Sequence, residues 1–567
     1  MPRARKRRRD TPDAASKRDR EDRTEEPAGF LGTDTGFALL VGLGFLLLAA
    51  VGILRHEMWR DEWQGWLIAA ESGSFGDLLE RIKREAHLPL WHVCLFVLSR
   101  VLDSAVGMQA FHVLVATGSV FVFARFAPFP RWQRIAFAIG YFPLYEFAII
   151  SRNYALSILF GVLYCTAVSR KRFGLGMAAV LGLASSSHQG LLIAGPFGLF
   201  TVWSWLRERG KLPKARWVGP AALSCIVAIP LLVLVTGTIQ TLGFPLQTDF
   251  SLEKTVRTVN TTWNACVPVP SLSGDHSWNT NFLDTYNRWG LVASKPGLRL
   301  GDPLLGQEWW ALVLSLGILA LAVAGLRRDR ALLATFLGCV SLLLLFTYMV
   351  YIGWLRHHAF LFVSLLMCFW IHRAWYPPAR GGATVGGWLT ASLFPLLLVA
   401  QASAGVISYG FDATRPFTRS RDVVRFIDQA GLDEYPIIGS PDYIVTPISA
   451  MLGVPFLSLE TRKETTFIEW ESSRNLNAKT LIRRIGKFLR ESESDKQFLL
   501  MTSYPVEMIA KIPGEKPTEQ GFQLTPLEMF LPGIVPDERY IVYFLQPKGR
   551  ALPERVRPLA KARPRDY

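Results

Sequence analysis

Long apolar runs separated by short charged segments recur over residues 36–406 of this chain. Most of them approach the length that a helix needs to cross the ~30 Å hydrocarbon core of a membrane. The runs are residues 36–54, 90–102, 109–127, 135–150, 154–168, 175–184, 191–205, 221–235, 311–326, 331–352, 359–370 and 388–406. With about 11–12 such segments, the pattern predicts a mainly α fold, a polytopic transmembrane helical bundle over residues 30–408.

Two polar stretches interrupt this pattern. Within the first stretch, residues 55–89, apolar and charged positions alternate at helical spacing over residues 63–87, which predicts one or two amphipathic helices that lie on the membrane surface. Residues 237–308 are polar, aromatic and rich in proline, without clear helical or strand periodicity. This second stretch is predicted to be a long outer loop, of the kind that is usually functional or disordered.

From about Thr418 the pattern becomes that of a soluble domain. Short apolar strands alternate with amphipathic helices, and two late strands are suited to pair as a hairpin. The predicted elements are helices 420–430 and 478–490, strands 435–438, 455–459 and 497–501, and a hairpin of 522–530 with 539–545. We therefore predict a soluble α/β domain over residues 409–567. No phosphate-binding loop or catalytic triad is recognisable in its sequence.

Composition and charge indicate an integral membrane protein with a defined orientation. Half of the 567 residues are hydrophobic and 19% are charged, a profile unlike that of a soluble domain. The net charge of +16 does not indicate a nucleic-acid partner, because basic residues cluster in the tail 1–29 and between the apolar runs, where they set orientation. We predict a disordered cytoplasmic tail, an uncleaved first span, and an extracytoplasmic placement for 55–89, 237–308 and 409–567.

The topology of one region stays open. If Arg131 is cytoplasmic and Asp61 is outside, the two apolar runs between them cannot both cross. Either the run 90–102, which is short for a span, is tilted or re-entrant, or the run 135–150 does not cross and Arg131 lies outside.

An adjacent acidic pair, Asp61 and Glu62, follows the first apolar run between Trp59 and Trp63. Ionisable groups are expensive to keep at a membrane, and those that occur there are usually functional. The simpler alternative is that the pair caps the following helix, where the helix dipole favours acidic side chains.

The predicted topology brings further polar residues to the same outer end of the bundle. These candidate substrate-binding residues are His87, Arg152, Tyr154, His188, Arg356, His357 and His358. Singly, each has a structural explanation, such as a turn histidine or an arginine that reaches the interface. Together they combine a carboxylate that can take a proton from an acceptor hydroxyl with cations that can neutralise a phosphate leaving group.

No cofactor is predicted. Five of the six cysteines lie in apolar runs, so the sequence indicates neither a disulfide framework nor a thiolate metal site. The histidines are too scattered to indicate a zinc site, and the sequence leaves dependence on a divalent metal open.

Four motifs give the chain its resemblance to a known family. They are Asp61-Glu62 after an outward first span, His87-Leu88-Pro89-Leu90-Trp91, Arg152-Asn153-Tyr154-Ala155-Leu156 and Ser187-His188-Gln189-Gly190. With them the chain resembles the GT-C superfamily of integral membrane glycosyltransferases, above all bacterial members related to protein O-mannosyltransferases and lipid A aminoarabinose transferases. The likeness covers residues 36–205, and Arg356-His357-His358 adds a weaker one. The chain has His87-Leu88-Pro89 where the family usually has His-Pro-Pro, and Arg152 and Tyr154 in place of a second acidic motif.

The resemblance implies a polyprenyl-phosphate sugar as donor and an extracytoplasmic glycan, lipid or protein as acceptor, at the inner membrane of a bacterium. It implies that Asp61 is the general base and Glu62 a supporting acid. It also implies that Arg152 and Arg356 lie near the donor phosphate.

Two other functional classes fit parts of the sequence. A transporter or flippase of lipid-linked sugars would use the same cations, but it predicts charges along the depth of the spans and repeats between the two halves, which the sequence does not display. A non-enzymatic envelope assembly factor would use the C-terminal domain, but that reading leaves the acidic pair unexplained.

Overall fold

The computed structural model describes most of the membrane bundle and of the C-terminal domain. The described residues are 33–83, 85, 87–208, 219, 222, 225, 228, 246–272, 277–283, 305–376, 385–469, 476, 478–491, 496–506 and 517–558. The predicted tail 1–29 and all but three residues of the predicted run 221–235 lie outside them.

Seven helices of the described chain are long and apolar enough to cross a membrane. They are Asp34–Arg55, Ala105–Phe126, His188–Glu208, Trp309–Leu326, Arg330–Met349, Leu355–Trp375 and Ala391–Thr414. Three shorter apolar helices accompany them, Leu90–Ser99, Tyr154–Ser169 and Phe173–Ser186. The chain is therefore a mostly helical protein with the helices of an integral membrane protein, as its hydrophobic pattern predicts.

The helix that carries Arg356 is the most enclosed of these candidate spans. In chain order the helices of the bundle are α1 (Asp34–Arg55), α2 (Arg60–Glu71), α3 (Phe75–Lys83), α4 (Leu90–Ser99), α5 (Ala105–Phe126), α6 (Arg131–Ala138), α7 (Tyr154–Ser169), α8 (Phe173–Ser186), α9 (His188–Glu208), α10 (Leu252–Cys266), α11 (Leu305–Leu326), α12 (Arg330–Met349), α13 (Leu355–Trp375) and α14 (Val385–Thr414). In the most apolar stretch of α13, 78% of the helix is buried inside the protein, whereas the corresponding value for α11 is 28%. Because α13 is surrounded by other helices, a charged residue at its start faces protein instead of lipid.

The structure decides between the two alternatives for the region around Arg131. Helix α4 runs beside α2, since Ser99 Oγ lies 3.5 Å from the Ala69 carbonyl oxygen. The run 90–102 therefore stays at the Asp61 end of the bundle and does not cross it. Arg134 Nη1 lies 3.3 Å from Asp34 Oδ1, at the opposite end, so the chain reaches that end through α5 and the run 135–150 brings it back.

This returning segment is not one continuous helix. Helix α6 ends at Ala138, and a π-helical turn follows over Tyr141–Glu146. Interruptions of this kind are frequent at functional sites, and irregular backbone at membrane depth is tolerated where protein covers it. All residues from 140 to 158 are buried. The break thus delivers Glu146 and Arg152 into the interior of the bundle.

The prediction of an outer loop without helical periodicity over 237–308 is wrong in part. Helix α10 lies within it and is anchored inside the bundle, with Trp263 N donating to Ser315 Oγ at 3.0 Å and Gln401 Nε2 donating to the Ala265 carbonyl at 2.8 Å. Threonine and asparagine side chains of α10 are buried as well as its apolar ones. Leu252, Val256, Val259 and Trp263 recur at helical spacing, so the sequence does carry the signal of this helix within the long polar stretch. The parts 237–245, 273–276 and 284–304 lie outside the described residues.

The C-terminal α/β domain has the elements that the sequence predicts, with small shifts. They are α15 (Ser420–Gln429), β1 (Ile437–Ser440), α16 (Asp442–Leu452), β2 (Phe456–Ser458), β3 (Glu464–Thr465), α17 (Ala478–Glu491), β4 (Phe498–Thr502), β5 (Phe522–Phe530) and β6 (Tyr540–Pro547). Helix α16 and the short strand β3 are additions. Helix α14 continues to Thr414, so the bundle ends some residues after the predicted boundary at 408.

The strands form one sheet in the order β3-β2-β1-β4-β6-β5. Strand β1 is parallel to β2 and β4, and β6 pairs antiparallel with β4 and β5, the latter as the predicted hairpin. Alternate residues of the strands point to opposite faces. Leu499 packs on the side covered by α15 and α16, and Leu500 on the side covered by α17. Burial on both faces explains why β4 is apolar from Phe498 to Met501.

Candidate active site

Asp61 lies in the first turn of α2, and arginines from distant parts of the chain converge on its carboxylate. Arg152 Nη1 is 2.7 Å from Asp61 Oδ2, and Arg356 Nη2 is 3.5 Å from the same oxygen. Arg60 Nε is 3.8 Å from Oδ1. The predicted meeting of Asp61 with Arg152 and Arg356 is therefore present, although Arg356 is 295 residues away in sequence.

The charge state of Asp61 follows from these contacts. Burial by itself would raise the pKa of Asp61, but Arg152, Arg356 and Arg60 outweigh it and hold that pKa below its usual value. The carboxyl side chain keeps 19% of its surface exposed. Asp61 is thus an ionised, accessible carboxylate surrounded by cations.

Glu62, the neighbour of Asp61, has a different set of contacts. Its Oε2 accepts from His56 Nε2 at 2.9 Å and from the Trp59 backbone N–H at 3.1 Å, and its Oε1 accepts from the Ser151 backbone N–H at 2.6 Å. It is 1% exposed. Glu62 therefore ties the start of α2 to the turn before Arg152. These contacts are those of a group that positions Asp61.

His56 and Asp412 extend this buried network, and the sequence analysis did not single them out. His56 Nδ1 lies 2.9 Å from Asp412 Oδ2, on the opposite side of the ring from Glu62. Burial would lower the pKa of His56, but Asp412 and Glu62 raise it to about 10. The imidazole is therefore a cation that joins the ends of α1 and α14. No local pattern could indicate this contact, because 356 residues separate the two partners.

Arg356 has hydrogen-bonding capacity that the described residues do not use. Its guanidinium carbon lies 5.3 Å from the ring centre of Trp59 and 5.4 Å from that of Trp278. Only 5% of Arg356 is exposed. Within the described part of the chain, Nε and Nη1 have no hydrogen-bond partner. Buried donors without partners are costly, so these two N–H groups fit the oxygen atoms of an incoming anion.

Glu146 is a second carboxylate of this region that the sequence analysis missed. Its Oε2 accepts from Tyr141 Oη at 2.8 Å and from Trp278 Nε1 at 3.0 Å. The residue is 1% exposed. The sequence does contain one signal for a functional role of Glu146. It is the single acidic residue inside the apolar run 135–150, and acidic groups within such runs are usually functional.

The remaining predicted site residues lie around the same end of the bundle in different roles. His87 Nε2 contacts Arg152 Nη2 at 3.3 Å, while burial and the nearby cations lower the pKa of His87 well below its usual value. The Tyr154 ring meets the His357 ring edge-on at 5.7 Å. His188 stacks on Phe346 at 6.5 Å.

The two histidines after Arg356 hold the turn that leads into α13. His357 Nδ1 accepts from the Trp354 backbone N–H at 2.8 Å. His358 Nε2 donates to the Ile352 carbonyl at 2.7 Å. Both imidazoles therefore orient the start of the helix, and Arg356 is the member of this triplet that contacts Asp61.

The C-terminal domain rests on α2 next to Asp61. Arg60 Nη2 lies 2.7 Å from Asp537 Oδ2, and Arg60 Nη1 lies 3.2 Å from Glu538 Oε1. Gln64 makes two hydrogen bonds of 2.8 Å with the backbone of Ile468. The helix that bears Asp61 is thus fixed by the bundle on one side and by the C-terminal domain on the other.

A cleft lies where α2 and α3 meet the C-terminal domain. Its volume is about 460 Å³. Carboxylates dominate its walls, with Phe467 and Arg81 beside them; the acidic residues are Glu71, Asp77, Glu80, Glu85, Glu464 and Glu469. The cleft is therefore a strongly negative feature of the junction between the two parts.

Among the described residues, no group of three or more histidine, cysteine or acidic side chains is placed to hold a metal ion. Comparison of the chain with models of protein families and with curated proteins found no match.

Proposed function

We propose that this protein is a membrane glycosyltransferase of the GT-C type. It transfers a sugar from a polyprenyl-phosphate donor to an acceptor on the extracytoplasmic side of a bacterial inner membrane. The observation that carries the proposal is Arg356, a buried arginine with unused N–H groups that shares the accessible carboxylate of Asp61 with Arg152.

The arginines are suited to the phosphate of the donor. Arginine donates its N–H groups to phosphate oxygens, and Nε and Nη1 of Arg356 have no partner in the described chain. Arg152 is bound to Asp61 in the free protein. An entering phosphate competes with Asp61 for Arg152, so donor binding weakens the electrostatic attraction between the arginines and the Asp61 carboxylate.

That competition explains how a carboxylate with a lowered pKa acts as a base. A general base works best when its pKa is near the working pH. When the donor phosphate neutralises Arg152 and Arg356, the pKa of Asp61 rises towards its ordinary value. Asp61 then gains proton affinity when the donor is bound, and the free enzyme keeps it ionised.

The chemical step forms one bond and breaks another at the anomeric carbon of the donor sugar. The acceptor hydroxyl oxygen bonds to that carbon, and the bond from the carbon to the phosphate oxygen breaks. The electron pair leaves with polyprenyl phosphate, whose negative charge Arg152 and Arg356 stabilise. The hydroxyl proton passes to Asp61.

The other predicted residues support this centre. We assign Glu62, the predicted supporting acid, to positioning Asp61, because its oxygens are engaged by His56, Trp59 and Ser151. His87 orients Arg152.

Tyr154, His188, His357 and His358 belong to the walls that receive the donor headgroup. The C-terminal domain, held against α2, binds the acceptor or a partner protein.

The test is transfer of radiolabelled sugar from a panel of polyprenyl-phosphate sugars by the purified full-length protein. Asp61→Asn is expected to abolish transfer while donor binding and folding persist. Asp77→Asn is the matched control, because Asp77 is a partly exposed acid of α3 whose partners are Arg81 and the Gly73 backbone.

Full transfer by Asp61→Asn would refute the catalytic assignment. Absence of transfer from every donor, together with movement of labelled lipid between vesicle leaflets, would replace the enzyme with a transporter.

A further inference from the structure

Trp278 is the centre of a second group of polar residues next to Arg356. Its indole N–H donates to Glu146 Oε2 at 3.0 Å, and the Arg356 guanidinium lies 5.4 Å from its ring centre. Asn279 follows it directly in the chain. Trp278 itself is 1% exposed, so its contacts with Glu146 and Arg356 lie in the interior of the bundle.

These neighbours share an unusual property. Within the residues that the structure describes, Glu146 Oε1, both side-chain polar atoms of Asn279, and Nε and Nη1 of Arg356 have no hydrogen-bond partner. The three residues are 1%, 3% and 5% exposed, respectively. Native proteins pair nearly all buried polar atoms, and each exception calls for an explanation. Glu146 and Arg356 both contact the Trp278 indole, and Asn279 adjoins Trp278 in the chain, which indicates a place where a ligand supplies the partners.

The backbone and the Glu146 carboxyl group are fixed around this group. Asn279 has φ = 59°, in the left-handed region that asparagine adopts more readily than most residues. Glu146 ends a π-helical turn. Its Oε2 is saturated by Tyr141 and Trp278, which fixes the carboxyl group and leaves Oε1 for another donor.

The combination of hydrogen-bond donors and acceptors without partners in this group identifies the class of ligand. Arg356 and the amide nitrogen of Asn279 donate hydrogen bonds, whereas Glu146 Oε1 and the amide oxygen of Asn279 accept them. The phosphodiester of the donor has no hydrogen to offer the two acceptors, and its charge would be repelled by Glu146. A sugar hydroxyl donates and accepts at once, so a group with adjacent hydroxyls satisfies this set.

We infer that Glu146 and Asn279 form the subsite that binds hydroxyl groups of the donor sugar. This inference rests on the proposed function, because it assumes a sugar attached to the phosphate that Arg356 receives. Arg356 stands between the two subsites, with Asp61 on one side and Trp278 on the other. The arrangement makes Glu146 and Asn279 determinants of which donor is accepted.

The experiment compares two kinds of radiolabelled lipid on the full-length protein in nanodiscs. One is undecaprenyl phosphate without sugar, and the others carry one hexose or pentose. The wild type is expected to bind at least one sugar-bearing lipid more tightly than the bare phosphate. Glu146→Gln and Asn279→Ala are each expected to weaken binding of that lipid about 10-fold, the scale of one lost hydrogen bond to a charged or buried group. Their affinity for the bare lipid should stay unchanged.

Two controls make the result specific. Arg356→Gln should weaken both lipids, because it removes the contact to phosphate. Tyr164→Phe removes a buried hydroxyl that bonds to Thr201 and the Phe197 carbonyl elsewhere in the bundle. It should change neither affinity.

The outcomes separate this inference from the proposed function. Equal weakening of both lipids by Glu146→Gln and Asn279→Ala, or no effect of either variant, would overturn the sugar subsite and leave the phosphate site standing. Wild-type protein that binds no polyprenyl phosphate, bare or glycosylated, would overturn the proposed function and the subsite with it.

Discussion

The variant Glu62→Gln tests most directly whether Glu62 acts in the chemistry or positions Asp61. The substitution keeps the shape of the side chain but replaces one carboxylate oxygen by an amide nitrogen. Because backbone or imidazole N–H groups approach both oxygens of Glu62, the new amide must face a donor in either orientation. At least one buried donor loses its acceptor, and the cation of His56 loses one of its two counter-charges.

The magnitude follows from burial. Glu62 and His56 are 1% and 0% exposed, so water cannot replace the lost contacts. Removal of one partner from a buried ion pair costs about 3–5 kcal/mol. We therefore expect Glu62→Gln to lower the free energy of unfolding by about 3 kcal/mol or more.

The assay is an unfolding titration of the full-length protein in mixed micelles, followed by intrinsic tryptophan fluorescence. The matched control is Glu71→Gln at the other end of α2, because Glu71 is exposed. A surface substitution of this kind changes stability by about 0.5 kcal/mol at most. Sugar transfer is measured at a temperature where both variants remain folded.

One result would refute the reasoning. If Glu62→Gln were as stable as the control but inactive in transfer, then Glu62 would act in the chemistry itself. If it were unstable and gave reduced but measurable transfer while folded, the positioning role would stand and Asp61 would remain the base.

Two further predictions concern the contact between α2 and the C-terminal domain. Arg60→Ala should speed hydrogen exchange at the Ile468 amide, which donates to Gln64 Oε1 at 2.8 Å. The reason is that Arg60 binds two acidic residues of the C-terminal domain and so holds the domain against α2. Unchanged exchange would contradict this docking role. Burial, only partly offset by Arg60, raises the pKa of Glu538 from 4.5 to about 7. The folded state therefore binds a proton that the unfolded state releases, and stability from this group is fully present below about pH 4.5 and lost as the pH rises through about 7. From about pH 5 to about pH 8, the free energy of unfolding of the wild type should fall by more than that of Glu538→Gln. Equal decreases would show that Glu538 does not titrate in this range.

Asp61 and Glu62 have different roles that the local sequence does not distinguish. Successive residues of a helix point about 100° apart, so an adjacent acidic pair cannot share one environment. Asp61 faces Arg152 and Arg356, while Glu62 faces His56. The local sequence predicts that both matter, but distant parts of the chain decide which of them remains accessible.

Glu146 and α10 differ in how far the sequence indicates them. Periodicity finds a helix when one face is apolar and the other polar. Leu252, Val256, Val259 and Trp263 give α10 this spacing, so the sequence does indicate the helix, and only the tertiary structure reveals that its threonine and asparagine side chains are buried too. Glu146 sits in a π-helical turn inside an apolar run, where no alternation marks it.

The sequence by itself determined the features that arise from hydrophobicity along the chain. Apolar length predicted the spanning helices, and short apolar runs predicted the strands of the C-terminal sheet, because each of these depends on residues that are close in sequence. The tertiary structure alone decided that the run 90–102 stays at one end of the bundle, that Arg356 keeps unused N–H groups beside Asp61, and that Glu146 and Arg356 meet at Trp278. Those features depend on contacts between residues far apart in the chain, and packing of the helices against one another is what brings them together.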